Sequence, residues 1–268
     1  HRTGGGRMKG TLYLVNRAHP LPEEPAAEDL ASVRSGQTEV RLHQRAKVML
    51  DQLLAAVDGA GTIIPVSGYR PQTEQQAIWD DTLAEHGSAF TETYVARPGC
   101  SEHQTGLAID LGENGPEVDF LCPAFPDSGP CGALRRRAAD FGFILRYPKG
   151  KEAVTGIGYE PWHFRYVGWP HAKLMEERHL VLEEYLEWLH DFPLGGEPLR
   201  FRGLGRLFEL YYLPAWAADT LTLPADVPCQ RCDTNEGGVV LTLWRDAGCK
   251  PSRSAALTAS ASPPPCWS

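Results

Sequence analysis

The sequence predicts an α+β protein in which a small antiparallel sheet is flanked by helices and followed by a small C-terminal β appendage. Amphipathic helical patterns occur between short apolar runs of unequal length, which are typical of antiparallel strands. The composition changes after residues 192–196, where proline and glycine indicate a linker. With 268 residues, of which 42% are hydrophobic and 22% charged, the chain is long enough for one sizeable domain and an appendage.

In the first part of the chain, the patterns predict a helix, a strand and a second helix. Apolar residues recur at helical spacing over Thr38–Val57, which predicts an amphipathic helix. A glycine-containing turn then leads into a short buried strand at Thr62–Val66. Pro71 suits the first position of another helix, which we expect to end near His86. Arg70 is thereby placed at the boundary between a strand and a helix.

The central part of the chain is predicted to add three strands and two helices. Leucine and isoleucine alternate with other residues over Gly106–Gly112, so this segment is predicted to be a strand with Asp110 on the face opposite the leucines. The remaining predicted elements are a helix at Ala133–Phe141, strands at Phe143–Arg146 and His163–Val167, and a long amphipathic helix at Lys173–His190.

The domain organisation follows from these patterns. Residues 1–195 are predicted to form the main domain, although residues 1–7, before Met8, resemble a cloning remnant. Residues 196–251 form the β appendage, and residues 252–268 are rich in serine, alanine and proline, so we expect a mobile tail. The strands predicted in the appendage are Phe208–Leu213, Thr220–Leu223 and Val239–Trp244.

Charge and hydrophobicity argue against two classes of partner. A formal net charge of -8 argues against binding to nucleic acid, because proteins that bind polyanions usually carry a basic patch. No stretch approaches the roughly 20 apolar residues that a membrane-spanning helix needs, and the start lacks the pattern of a secretory signal. We therefore expect neither a membrane span nor export.

The cysteines indicate a reducing compartment. Their number, seven, is odd and does not suit a complete disulfide framework, so a cytoplasmic location is predicted. Cys229 and Cys232 have the spacing of a metal knuckle or redox pair, but no second pair follows, and a metal there is the less favoured alternative. Cys122 and Cys131 bracket a loop and would be able to pair under oxidation, although two reduced thiols are favoured.

Three segments contain residues suited to a hydrolytic zinc site. Ser101–Asp110 carries His103 and Asp110 on either side of a glycine turn, and Glu160–His163 carries a carboxylate just before a histidine-bearing strand. Catalytic zinc typically takes three protein ligands and leaves one position open for water, and two histidines with one carboxylate form a familiar set. We predict one zinc per chain, bound by His103, Asp110 and His163.

Two further charged residues suit catalysis. Glu160 is close to a ligand without being needed as one, as expected of a base that activates water. Arg70 offers a fixed positive charge for a substrate carbonyl or an oxyanion. Each residue alone has an ordinary explanation: a histidine is more often structural, and a lone arginine is more often a solvated charge. The combination favours a catalytic site.

The same segments resemble a known family. Ser-x-His-x-x-Gly-x-Ala-x-Asp at Ser101–Asp110, Glu-Pro-Trp-His at Glu160–His163 and Ser-Gly-Tyr-Arg at Ser67–Arg70 resemble motifs of D-alanyl-D-alanine carboxypeptidases of the VanY/VanXY type. The resemblance covers roughly residues 9–191, and it implies the fold that these zinc peptidases share with the Hedgehog signalling domain. It also implies the roles given above, with Ser101, Gln76 and Trp162 shaping the substrate pocket.

The resemblance further implies that the protein releases terminal D-Ala from peptidoglycan precursors ending in D-Ala-D-Ala. Such activity would deplete the target of glycopeptide antibiotics such as vancomycin. A dual enzyme that also cleaves free D-Ala-D-Ala is a close alternative. A non-catalytic, zinc-stabilised module that binds cell-wall peptides is another, because fold does not determine function. A structural zinc site would need neither Glu160 nor Arg70, so the enzyme is preferred to the binding module. A phage-type endopeptidase is disfavoured because the appendage is a poor candidate for a wall-binding module.

Overall fold

The computed structural model describes residues 10–34, 38–223 and 226–248. Within these, Leu14–Glu183 form one compact unit, and Gly10–Tyr13 belong to a second unit with the described residues from Glu184 onward. The predicted α+β class is confirmed, because small antiparallel sheets occur together with helices. The domain boundary at residue 195 stays a prediction. The predicted cloning remnant and mobile tail lie outside the described residues.

The first unit contains a four-stranded and a two-stranded antiparallel sheet surrounded by helices. Single 3₁₀ turns occur at Ala27–Asp29, Glu102–Thr105 and Ala138–Phe141. The elements, in chain order, are β1 (Leu30–Arg34), β2 (Val40–His43), α1 (Gln44–Ala56), β3 (Ile63–Ser67), α2 (Gln72–Tyr94), β4 (Ala108–Glu113), α3 (Gly129–Arg137), β5 (Phe143–Leu145), α4 (Glu152–Thr155), β6 (His163–Tyr166), α5 (His171–Arg178) and α6 (Leu182–Leu189), within which the boundary of the unit falls.

The four-stranded sheet of this unit has the order β3-β4-β6-β5 and positions the polar residues. Ile109 and Leu111 of β4 join the apolar core, whereas Asp110 between them has its side chain on the opposite face, as strand geometry requires. In the β4–β6 pair, Asp110 lies directly opposite His163. Strand pairing therefore brings together two residues that are far apart in the sequence.

The helix predicted over Thr38–Val57 is only partly correct. Within it, Val40–His43 form strand β2, and α1 begins at Gln44. Val40 and Leu42 are buried in alternation, and β2 pairs with β1 through contacts such as Ala31 with Leu42. The first part of this segment is a strand because it pairs with β1, and local periodicity does not reveal that pairing.

Two other predicted helices have different lengths. The long helix over Lys173–His190 is wrong, because His179 adopts a left-handed conformation with φ of 54° that ends α5 before α6 begins. The helix predicted to end near His86 instead reaches Tyr94, with one non-helical residue at Gly87. Glycine tolerates this conformation, so helical segments continue on either side of the break.

The second unit contains a sheet with the order β7-β8-β10-β9. The strand predicted at Thr220–Leu223 is wrong, because this segment follows a short helix, and the Thr220 hydroxyl donates a hydrogen bond to the Ala217 carbonyl at 3.2 Å. Two further strands of this sheet, Leu199–Gly203 and Cys229–Asp233, were not predicted. The elements are β7 (Leu199–Gly203), β8 (Arg206–Leu213), α7 (Ala215–Ala218), β9 (Cys229–Asp233) and β10 (Val239–Asp246).

The structure also bears on the predictions about cysteine pairing, a metal at Cys229 and Cys232, and membrane-spanning helices. Cys122, Cys131 and Cys229 are free thiols, and the Cys232 sulfur lies 3.7 Å from the Thr11 hydroxyl oxygen. Within the described ranges, neither Cys229 nor Cys232 belongs to a group able to hold a metal ion. None of the helices in these ranges has the length and apolar character needed to cross a bilayer.

Candidate active site

A 3₁₀ turn and two strands bring the predicted ligands together. Asp110 and His163 come from β4 and β6, and His103 comes from the turn Glu102–Thr105. The Ser101 hydroxyl caps this turn by accepting a hydrogen bond from the His103 backbone N–H at 3.3 Å. Gly106 ends it with φ of 73°, and a Cβ there would lie 2.8 Å from the Leu30 side chain. Glycine is therefore required for the chain to pass from the turn into β4.

The potential ligand atoms lie close enough together to hold a metal ion. One ligand atom from each of His103, Asp110 and His163 lies within 4.8 Å of the others. His103 Nε2 is 3.3 Å from Asp110 Oδ2, and His163 Nδ1 is 3.1 Å from Asp110 Oδ1. Zinc bonds of about 2.0–2.2 Å in a tetrahedron would place ligand atoms roughly 3.3–3.6 Å apart. The three side chains fit a zinc ion.

Hydrogen bonds to the other ring nitrogens orient both imidazoles. His103 Nδ1 lies 2.8 Å from the Gly68 carbonyl oxygen, and His163 Nε2 lies 2.8 Å from Glu102 Oε1. Each of these nitrogens donates to an oxygen when the ring is neutral, so the lone pair of the other nitrogen faces Asp110. Metal-binding histidines commonly have such partners, which fix the tautomer.

The charges of the ligands also suit a cation. Burial opposes ionisation of Asp110, but the imidazoles of His103 and His163 hold the pKa of this carboxyl well below its usual range. Burial and the neighbouring Arg70 lower the pKa of His103. Asp110 Oδ1 is buried without a hydrogen-bond partner among the described residues, although it is close to His163 Nδ1. A buried oxygen of this kind is costly unless it binds something.

A buried carboxylate that the sequence analysis did not single out supports this site. Glu102 Oε2 accepts hydrogen bonds from Arg146 Nε and Arg165 Nη1, each at 3.0 Å. The other two nitrogens of Arg146 bind the Glu183 carboxylate at 2.9 and 2.8 Å. The two arginines outweigh burial and hold the pKa of Glu102 well below its usual range. Glu102 is therefore an ionised partner for His163.

Glu160 lies beside the ligands. Its Oε2 is 3.4 Å from His163 Nδ1, and its backbone N–H donates to the Tyr147 carbonyl at 3.0 Å. Only 4% of the residue is exposed, and burial raises the pKa of Glu160 to about 8. In the metal-free site the protonated form of this carboxyl group is therefore favoured.

Arg70 is held at the same site. Its Nη1 donates to Gln75 Oε1 at 3.0 Å, and its Nη2 donates to Asp110 Oδ2 at 3.3 Å. Its Nε is buried without a hydrogen-bond partner among the described residues. The guanidinium is therefore fixed in orientation and retains an unused donor.

A cleft with an empty volume of about 470 Å³ gives access to these groups. Ser101 and Trp162, which the family resemblance assigns to the substrate pocket, line this cleft. Gln76 does not: it is exposed, and its amide donates to Asp80 at 3.0 Å. Gln75 lines the cleft instead, because neighbouring positions on a helix point about 100° apart and a sequence motif does not specify the face.

Tyr147 is a further lining residue that sequence reasoning missed. Its ring centre lies 4.8 Å from that of His163, and the side chain is 7% exposed. It follows directly after Arg146, whose guanidinium lies over the tyrosine ring. The Arg-Tyr-Pro stretch at the end of β5 was the available signal, but it does not identify which side chain reaches the cleft.

Comparison with known proteins gives consistent matches. The family model described as VanY, D-alanyl-D-alanine carboxypeptidase, matches residues 39–169. The bifunctional D-Ala-D-Ala dipeptidase and D-Ala-D-Ala carboxypeptidase VanXYC of Enterococcus gallinarum is 41% identical over 180 residues, covering 67% of this chain and 95% of the relative. A D-alanyl-D-alanine carboxypeptidase of Enterococcus faecium is 29% identical over 251 residues, covering 88% of this chain and 76% of the relative.

Solved structures give the same picture. The vancomycin-resistance D,D-dipeptidase VanXYg, in complex with a D-Ala-D-Ala phosphinate analogue, is 40% identical with a TM-score of 0.83, covering 89% of this chain and 95% of that one. A mutant of the vancomycin-resistance D,D-pentapeptidase VanY, in complex with Zn(II), is 36% identical with a TM-score of 0.52. The match covers 66% of this chain and 98% of that one.

Proposed function

Because this chain belongs to the VanY family of D-alanyl-D-alanine carboxypeptidases, we propose that it releases the terminal D-Ala from peptidoglycan precursor peptides ending in D-Ala-D-Ala, in a zinc-dependent hydrolysis. The observation that carries this proposal is the buried His103, Asp110 and His163 cluster with Glu160 beside it. All four residues belong to the unit Leu14–Glu183, to which we assign catalysis.

His103 Nε2, His163 Nδ1 and the Asp110 carboxylate would hold the zinc ion. When bound there, zinc supplies Lewis acidity, which polarises the scissile carbonyl and makes water more acidic. Glu102 and the Gly68 carbonyl keep the imidazoles in the tautomers that metal binding requires.

Glu160 is the proposed proton carrier. Its Oε2 accepts a proton from the attacking water and then delivers it to the amine nitrogen of the departing D-Ala. In the metal-free site burial raises the pKa of Glu160, which favours the protonated carboxyl group that delivers the proton to the leaving amine. The position of Glu160 next to His163, but outside the ligand set, supports this role.

Arg70 is the proposed donor to the reacting carbonyl. As negative charge develops on the carbonyl oxygen, a fixed guanidinium stabilises it without having to reorganise. Gln75 and Asp110 provide the fixation. Ser101 and Trp162, which line the cleft, are proposed to contact the terminal residues of the substrate.

A dual D,D-dipeptidase and D,D-carboxypeptidase is the second candidate. It is favoured by a specific observation, since VanXYC carries both activities in its description and is 41% identical to this chain. Either activity would reduce the supply of D-Ala-D-Ala ends and so lower sensitivity to vancomycin. A cytoplasmic location and the absence of a nucleic-acid partner stay predictions, which cell fractionation and a binding assay test.

One assay tests the proposed function. The zinc-loaded chain is incubated with D-Ala-D-Ala and with a pentapeptide ending in D-Ala-D-Ala, and released D-Ala is quantified. Release from the pentapeptide alone indicates a carboxypeptidase, and release from both indicates the dual enzyme. Glu160→Ala should lower the rate about 10²–10⁴-fold while retaining zinc, and the exposed Glu177→Ala should change neither. No release by the unaltered chain from either substrate would indicate a binding module instead.

A further inference from the structure

A second pocket adjoins the catalytic cleft within the first unit. It has an empty volume of about 790 Å³. Four residues line both cavities: Val95, Ala96, Tyr147 and Ile157. Since the Tyr147 ring lies 4.8 Å from that of His163, the second pocket begins one side chain away from the metal ligands. The catalytic residues described above do not account for this pocket.

The polar lining of the second pocket carries positive charge. Arg97 Nη2 lies 2.8 Å from Glu92 Oε1, and Arg17 Nη2 contacts Glu92 Oε2. Two guanidinium groups thus share one carboxylate, which leaves a net charge of about +1 by simple counting. The side chains of Arg17 and Arg97 are 63% and 48% exposed. In a chain with a net charge of -8, an open pocket with excess positive charge is well suited to an anion.

We propose that this pocket is the subsite for the segment of the peptide that precedes D-Ala-D-Ala, and that Arg17 and Arg97 bind a carboxylate carried by this segment. This inference rests on the proposed function. The terminal dipeptide occupies the catalytic cleft, and the preceding residues pass the shared wall. Because Val95, Ala96, Tyr147 and Ile157 line both cavities, the peptide segment before the terminal dipeptide continues from the cleft into this pocket.

The chemistry of arginine supports a carboxylate as the ligand. A guanidinium has five N–H donors in a planar fork that matches a carboxylate, and Glu92 engages only part of this set on each arginine. Arg97 is further oriented by Trp79, because its guanidinium carbon lies 6.0 Å from the centre of that ring. Free D-Ala-D-Ala has no group that reaches the pocket. The subsite therefore raises the efficiency of peptide cleavage without affecting the dipeptide.

Three substrates test this assignment on the zinc-loaded chain. They are D-Ala-D-Ala, the pentapeptide L-Ala-γ-D-Glu-L-Lys-D-Ala-D-Ala, and the same pentapeptide with the free α-carboxylate of D-Glu converted to an amide. We expect kcat/KM for the acid to exceed that for the amide by about tenfold, mainly through KM, as one charge-assisted interaction at a partly exposed site would give.

The arginines are then tested by substitution. In the Arg17→Ala/Arg97→Ala double variant, the acid and the amide should be cleaved with similar kcat/KM, while the rate on D-Ala-D-Ala stays unchanged. Arg45→Ala, an exposed arginine on α1, is the matched control and should retain the preference for the acid. An equal loss on all three substrates would overturn the assignment, because it would indicate general damage.

Glu92→Gln provides a test with the opposite sign. Removing the competing carboxylate frees both arginines, so the preference for the acid should increase several-fold. Equal cleavage of acid and amide by the unaltered chain, or an unchanged preference in Glu92→Gln, would overturn the subsite while leaving the proposed function intact. No release of D-Ala from any of the three substrates would contradict the proposed function itself.

Discussion

Both units contain a four-stranded antiparallel sheet, but among the described residues only the first sheet contributes buried polar side chains to a group able to hold a metal ion. On β4 and β6 of the first sheet, Asp110, His163 and Arg165 are all 4% exposed or less. On β8 and β10 of the second sheet, an apolar cluster that includes Leu213 and Leu241 is buried. Glu209 and Thr242 are buried on the same strands but belong to no group able to hold a metal ion among the described residues.

This difference distinguishes buried side chains that stabilise the fold from buried side chains that serve the candidate site. Buried charges are costly to desolvate, and a buried ion pair seldom stabilises a fold more than apolar residues of the same size would. The apolar cluster of the second sheet has an ordinary folding role. The charges of the first sheet are costly without a cation, so their presence indicates function. Substitutions in the two sheets should therefore have different consequences.

The largest expected effect is the loss of catalytic rate when Arg70 of the first unit is replaced. Arg70→Ala should lower kcat for D-Ala release by about 10²–10³-fold, the range seen when one oxyanion donor is removed. Arg70→Lys should restore only part of the rate, because the planar fork is lost. Arg202→Ala, an exposed arginine on β7, is the control and should leave the rate unchanged. Unchanged kcat in Arg70→Ala, with zinc content and Tm also unchanged, would remove Arg70 from catalysis.

A buried carboxylate between two arginines occurs in both units and offers a matched pair. Glu102→Gln should weaken zinc binding about 10–100-fold, as the loss of a histidine's hydrogen-bond partner commonly does. Glu209→Gln, between Arg200 and Arg245, should leave zinc affinity unchanged. Competition with a chelator measures both affinities. Equal zinc affinity in the two variants would contradict the role of Glu102 in orienting His163.

Zinc binding should depend on pH through His163. Burial favours the neutral ring, but the carboxylates of Asp110 and Glu102 outweigh it and raise the pKa of His163 to about 10. The metal-free ring is therefore protonated at neutral pH, and zinc must displace that proton. The apparent affinity should rise about tenfold per pH unit below this pKa, because one proton is released. Calorimetry in two buffers of different ionisation enthalpy measures the proton; affinity independent of pH would contradict the account.

The smallest expected effect on the site comes from the second sheet. Leu241→Ala should lower the free energy of unfolding by about 2–5 kcal/mol, because a fully buried side chain is truncated. None of the described residues of that unit belongs to the group able to hold a metal ion, so zinc content and the rate per folded molecule should be unchanged. Ile109→Ala, next to Asp110 in the first sheet, should impair both stability and the rate. An equal loss of activity in Leu241→Ala and Ile109→Ala would contradict the proposed difference between the two sheets.

Much of the fold was predictable because many of its signals are local. The alternation over Gly106–Gly112 identified β4, and the apolar run before Ser67 identified β3. The segment Thr38–Val57 was misassigned in part, because β2 depends on pairing with β1. The break at His179 was not predictable, because a left-handed histidine leaves no pattern in the sequence.

The candidate site divides in the same way. The cluster of His103, Asp110 and His163 was predictable because short motifs carry these residues on adjoining elements. Glu102 was missed because its partners Arg146 and Arg165 lie 44 and 63 residues away, and sequence alone does not pair them. The prediction of Gln76 instead of Gln75 has a different cause, since a shift of one position along a helix changes the direction of the side chain. The sequence therefore did not specify which distant segments are in contact, or which residue of a helix faces the cleft.

The most direct test of the central claim is a zinc titration followed by activity. Zinc is added stepwise to the chelator-treated chain, and D-Ala release from the pentapeptide is measured at each step. The account predicts negligible release without metal, a linear rise and a plateau at one zinc per chain. Full activity in the chelator-treated chain, or a plateau reached only at two zinc ions per chain, would contradict a single catalytic zinc held by His103, Asp110 and His163.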